Sequence, residues 1–198
     1  MSGTMVNQEL KQDPAKARLS SSIAMIMALI SFSMLFATLM LGYFAFRFTS
    51  EVWPPLGMER ISLGIPTAST VVILLSSLLY LCFESKVSQK SLKSGRFYFT
   101  ATFVLGCTFM IIQTLLWSKL KELGIFTGTS VFASMLYAFT WIHAAHVAGG
   151  IIALLFLIPT VSGTREHEAS LSWVQNVGQY WHFLGIVWVI MYFSLFVF

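Results

Sequence analysis

Charged residues in this chain come in clusters separated by long stretches that have none. No Asp, Glu, Lys or Arg occurs between Arg18 and Arg47, between Arg60 and Glu84, between Arg96 and Lys119, between Glu122 and Arg165, or from Glu168 to Phe198. A helix rising about 1.5 Å per residue needs about 20 residues to cross a hydrocarbon core of about 30 Å. Each gap is long enough. Strands of a membrane barrel would instead show segments of about ten residues with alternating polarity, and the chain has no such alternation. The pattern predicts an all-α integral membrane fold: a bundle of five transmembrane helices near 20–47, 62–83, 97–118, 128–159 and 173–198.

Residues 1–19 form a polar N-terminal segment, and 20–198 read as a single membrane domain. The apolar stretch after the polar start is longer than a signal-peptide core and reads as a retained first helix. Composition agrees: 57% of residues are hydrophobic and 10% charged, where a soluble domain carries about 25% charged residues. Cys82 and Cys107 both fall inside predicted spans, so they act as small apolar residues and form no disulfide framework.

The basic residues set an expected orientation. Lys11, Lys16, Arg18, Lys86, Lys90, Lys93, Arg96 and Arg165 share the side of the N-terminus, and Arg47, Arg60, Lys119 and Lys121 lie on the other. The positive-inside rule then places the N-terminus in the cytoplasm and, after five crossings, the C-terminus outside. The net charge of +4 follows from this bias and gives no argument for a nucleic-acid partner.

With no charged side chain in any span, the usual proton and ion carriers of transporters are missing. Histidine, amide, hydroxyl and aromatic groups remain. His143 and His146, three residues apart, share one face of the fourth helix, and His182 opens the fifth span in Tyr-Trp-His-Phe. Two readings of these histidines stay open. One is a redox subunit in which His143 or His146 pairs with His182 on a b-type haem. The other is a set of hydrogen-bonded histidines that fix helix packing or meet a lipid head group. A zinc site wants three or four clustered ligands, and the spans supply no cysteine or carboxylate at suitable spacing. Two histidines three apart on one helix cannot clamp both faces of one haem.

Gln113 and Trp117 lie one turn apart near the end of the third span, where a buried amide would bond a neighbouring helix. Ala144, Ala145, Ala148, Gly149 and Gly150 make one side of the fourth helix slim, with Gly149 and Gly150 as expected close-packing positions. Thr67, Thr70, Ser76 and Ser77 give the second helix a hydroxyl stripe, and Pro66 suits its first turn. Trp53, Trp117, Trp173, Tyr180 and Trp181 fall near predicted span ends, as interfacial anchors do. None of this is a catalytic constellation.

Read in order, these segments resemble subunit III of the haem–copper respiratory oxidases, in its short bacterial form with five helices. The resemblance runs from about residue 24 to the C-terminus. Tyr43 to Arg47 with Trp53-Pro54-Pro55 is similar to the end of the family's first helix and the loop after it. Pro66-Thr67-Ala68-Ser69-Thr70 with Leu74-Leu75-Ser76-Ser77 is similar to its second helix, and Leu105-Gly106 with Gln113 and Trp117 to its third. Thr140 through Val147 resemble Thr-Gly-x-His-Gly-x-His-Val, with Trp141 and Ala144 in place of the glycines. Tyr180-Trp181-His182-Phe183 and Val187-Trp188 resemble the closing Tyr-Trp-His-Phe-Val-Asp-x-Val-Trp.

The resemblance implies a non-catalytic accessory subunit of an aerobic terminal oxidase in the bacterial inner membrane. It would hold no haem, copper or other metal itself and would pack against the haem–copper subunit I and other oxidase subunits, with phospholipid. A nitric oxide reductase or a larger respiratory supercomplex is the variant setting. By the same analogy His143, His146, His182, Gln113, Thr140, Trp117 and Trp181 are internal polar groups at packing, lipid or subunit contacts. Two departures stand out. Phe32 occupies the place of the family's first-helix acid, and Gly185 that of the Asp after Trp-His-Phe. A buried carboxylate and its partner stabilise each other, so losing one strands the other. Loss of both acids reads as a rewritten polar core.

Overall fold

The computed structural model describes residues 14–53, 62–162 and 167–197. Among them are α1 (Pro14–Thr49), α2 (Gly64–Ser88), α3 (Leu92–Glu122), α4 (Val131–Leu155), a short α5 (Ile158–Ser162) and α6 (His167–Tyr192), closed by a π-helical turn at Phe193–Val197. Five segments are long and apolar enough to cross a membrane: Leu19–Thr49, Gly64–Ser88, Lys93–Glu122, Val131–Ser162 and Leu171–Val197. The described residues contain no strand.

Several helices run past their charge-free gaps. α2 continues through Glu84 and Lys86, α3 starts before Lys93 and Arg96, and α6 starts at His167. Charge marks where hydrocarbon must end, whereas backbone hydrogen bonding can continue beyond it. The fourth span departs from expectation in the other direction. A continuous helix to residue 159 is interrupted by a turn at Phe156 and Leu157. Pro159 has no N–H to give the carbonyl one turn back, and its ring crowds that carbonyl.

α6 is the central element and α1 the peripheral one. In the most apolar window of each, 44% of residues are buried for α6 and 6% for α1. α6 meets α2 along a polar seam. Thr67 Oγ1 lies 2.8 Å from Tyr192 Oη, Trp188 Nε1 donates to Thr70 Oγ1 at 3.0 Å, and Trp181 Nε1 donates to Ser76 Oγ at 3.1 Å. Ser77 Oγ bonds His182 Nδ1, and Tyr80 Oη donates to the Val174 carbonyl at 2.7 Å. All four hydroxyls of the α2 stripe therefore meet α6. Ser76 also donates to the Thr102 carbonyl of α3 at 3.1 Å, joining three helices. Without water in the hydrocarbon core, such groups must find partners within the protein.

Trp181 and Trp188 are fully buried, so the expectation of Trp181 as an interfacial anchor is corrected. Helix α6 begins at His167, which carries Trp181 about four turns into the bundle. Its indole lies between two glycines. A Cβ on Gly106 would sit 2.8 Å from Trp181 Cη2, and one on Gly150 would sit 2.9 Å from Trp181 Cζ3. Gly178 is as tightly held, its would-be Cβ 2.7 Å from Tyr80 Cε1. Gly149 is different. It is exposed, and the nearest atom to its Cβ position is Tyr180 Oη at an ordinary 3.7 Å. Of the expected close-packing pair, only Gly150 faces the core, because adjacent residues on a helix point about 100° apart.

The α1 helix is held chiefly at two points. Asn176 Nδ2 donates to Ser21 Oγ at 2.8 Å. Towards the other end of α1, Tyr43 Oη donates to the Ser194 carbonyl in the π-helical turn at 2.9 Å. The same Tyr43 oxygen accepts from Trp53 Nε1 at 3.3 Å and from Arg47 Nη1 at 3.4 Å.

Gly150→Leu drives atoms into the Trp181 ring, an overpacking expected to cost about 3 kcal/mol, while Gly149→Leu costs less than about 0.5 kcal/mol, as surface changes do. Thermal melting of the two variants in mild detergent checks this ordering. Equal melting temperatures would refute the packing described.

Candidate functional site

The polar side chains singled out from the sequence do not form one cluster. His143 is fully buried and enclosed by rings from three other helices. Ring centroids lie 6.1 Å away at Phe36 of α1, 5.8 Å at Phe109 of α3 and 5.2 Å at Trp188 of α6. Neither of its ring nitrogens has a hydrogen-bond partner among the described residues. Gln113 is equally buried, and its amide nitrogen and oxygen are likewise unpartnered there.

His146, one turn further along α4, is half-buried. Its Nδ1 bonds the Ile142 carbonyl of its own helix at 2.7 Å. Phe32 meets it edge to face at 4.5 Å between centroids, and Tyr180 Oη donates to the His146 carbonyl at 3.0 Å. The substituted position Phe32 thus lies directly against a histidine.

His182 belongs to a different interface. It bonds Ser77 of α2 and faces the Tyr80 ring at 5.9 Å. The second substituted position, Gly185, lies in the same place. The nearest atom to its Cβ position is Ser77 Oγ at 4.0 Å. Gly185, Ser77 and His182 line a cleft of about 360 Å³ with Leu74, Ile186, Val189 and Ile190. The two replaced acids therefore sit beside two separate histidines, Phe32 by His146 and Gly185 by His182. They are not one shared site.

Trp117 and Thr140 join α3 to α4. Trp117 Nε1 donates to Thr140 Oγ1 at 3.1 Å, the Thr140 hydroxyl donates to the Leu136 carbonyl at 2.8 Å, and Trp117 stacks on the exposed Trp141 at 5.1 Å. Trp117 is half-buried and bonded into the bundle.

This geometry bears on the haem reading. His143 and His146 share Phe36 of α1 as a ring neighbour, while His182 bonds Ser77 of α2. Among the described residues no group of three or more His, Cys, Asp or Glu is placed to hold a metal ion.

Phe36 and Phe109 are ring partners of His143 that the sequence motifs do not mark. Their signal was present in spacing: Phe36 lies one turn after Phe32, and Phe109 one turn before Gln113.

Comparison with known proteins fits this architecture. The family model "Cytochrome c oxidase subunit III" matches residues 14–198. A protein of Mycobacterium tuberculosis named "Probable cytochrome c oxidase subunit 3" is 29% identical over 176 residues, covering 86% of this chain and 84% of its own length. The protein of the same name in Nocardia farcinica is 31% identical over 176 residues, covering 85% and 83%. "Heme-copper oxidase subunit I+III" of Aeropyrum pernix is 25% identical over 169 residues, which are 79% of this chain and 20% of that longer protein. With a family match across almost its whole length and an uncharged, internally bonded bundle, this chain belongs to the cytochrome c oxidase subunit III family and is a non-catalytic accessory subunit of a terminal oxidase complex.

Proposed function

We propose that this chain packs in the bacterial inner membrane against the haem–copper subunit I of its oxidase, with the N-terminus cytoplasmic and the C-terminus outside. Haem and copper belong to the partner subunits, and phospholipid fills the remaining apolar surface. The observation that carries the partnership is the Aeropyrum pernix relative, whose printed name joins subunits I and III in one chain. Fusion of two chains favours those that already lie side by side, because a linker then keeps them at high effective concentration. The biased placement of Lys and Arg supports the orientation.

In this reading the histidines are packing groups. His146 is satisfied by a carbonyl of its own helix and Phe32 covers its ring, and His182 is satisfied at Nδ1 by Ser77. Each has a neutral partner in place of a carboxylate. Neither substituted position strands a charge, which is how both acids could be lost from a region without water.

Three outcomes are expected. Purification on a tag in mild detergent, followed by mass spectrometry, should recover a haem–copper subunit I with this chain; recovery of the chain without any oxidase subunit would sink the proposal. His143→Ala should lower the yield of this chain in the complex while leaving the haem absorption of the assembled oxidase unchanged. Loss of that absorption from correctly assembled complex would point to a haem ligand instead. Gly185→Asp should assemble, because the cleft beside Ser77 and His182 has room for a carboxylate that the imidazole can pair. Gly185→Asp with His182→Phe should lose about 3 kcal/mol or more by leaving that carboxylate unpaired. Equal assembly of the single and double variants, read as complex yield, would contradict this pairing.

A further inference from the structure

Gln113 and His143 are fully buried, and none of their side-chain polar atoms has a partner among the described residues, where Thr160 Oγ1 and His182 Nε2 are the other buried atoms without one. The register of α3 on α4 brings them to adjacent levels. Helices α3 and α4 run antiparallel with Gly106 against Ile151 at one level, where a Cβ would lie 3.6 Å from Ile151 Cγ1. Trp117 meets Thr140 at the other, with the 3.1 Å hydrogen bond. Counting between these anchors puts Gln113 at the level of Ala144, next to His143. Phe109, one turn before Gln113 on α3, meets the His143 ring at 5.8 Å between centroids.

The rings around His143 have nothing to give. Phe36 and Phe109 are plain hydrocarbon rings. The Trp188 indole N–H is committed to Thr70. Thr140 already donates to Leu136 and accepts from Trp117. Level with Gln113 stands the small side chain of Ala144. An amide carries two donors and an acceptor oxygen, and a neutral imidazole one donor and one acceptor. Buried groups of this kind are almost always satisfied, by protein or by ordered water.

We propose that Gln113 and His143 form an internal hydration site, in which ordered water bridges the amide of α3 to the imidazole of α4. The water ties the two helices at mid-bundle, between the Trp117–Thr140 bond and the glycine contacts on Trp181. It also fixes which ring nitrogen of His143 carries the proton, since the bridged nitrogen must complement the amide. The site lies wholly within this chain and does not depend on which subunit the chain binds.

A map of the purified complex at a resolution that shows ordered water tests the proposal. A peak is expected within hydrogen-bond reach of both the Gln113 amide and a His143 ring nitrogen, and it should be gone in the Gln113→Leu complex. Clear side chains with no such peak, or with Gln113 bonded directly to His143, would overturn it. A double-mutant comparison provides a second readout in the same complex. Gln113→Leu and His143→Phe should each lower the temperature at which this chain is released, and the two together should recover most of the loss, because neither group is then stranded. Additive losses would count against a shared site.

Discussion

A polar atom inside a membrane core has no water to turn to, and this bundle meets that constraint with a zip of side-chain bonds between α2 and α6. Thr67, Thr70, Ser76, Ser77 and Tyr80 present their hydroxyls along one helix, and Tyr192, Trp188, Trp181, His182 and the Val174 carbonyl pair with them along the other. The order is antiparallel and the pairs fix the register of the two helices. Each bond is modest, about 1 kcal/mol or less by measurement in membrane proteins. Their collective effect lies in specificity: a slip of one helix by a turn would break every pair at once.

The large rings depend on that seam. Trp181 can reach Ser76 only because Gly106 and Gly150 leave no side chain in its way. Tyr80 can reach Val174 only because Gly178 clears its ring. Aromatic bulk on one helix is matched by glycine on its neighbours, which is how helices in lipid gain close contact without a hydrophobic driving force. The α1 helix, tied mainly by Ser21 and Tyr43, stands outside this arrangement and is the least buried of the five spans.

The histidines illustrate how the family's polar core has been rewritten. Where the resemblance leads one to expect two acids, this chain has an aromatic ring beside His146 and an open cleft beside His182. The histidines bond a helix carbonyl in one case and serine in the other. The result is a set of spans whose central stretches bear no charge, suited to supporting a partner and lacking the groups for moving protons or ions.

The number of spans was legible in the sequence because charge is expensive in hydrocarbon, so five charge-free gaps had to become five membrane helices. The hydroxyl stripe and the histidine pair were legible as well, since helical spacing places them on one face. What the sequence could not decide was which face each residue shares with which neighbour. Trp181 reads as an interfacial anchor in one dimension and is the centre of the bundle in three. Gly149 and Gly150 look equivalent, yet only one meets a tryptophan. Phe32 and Gly185 stand beside different histidines, a separation that linear order does not reveal. Local pattern sets the helices and their burial in lipid; partner choice among helices depends on register and rotation, which only the packed bundle determines.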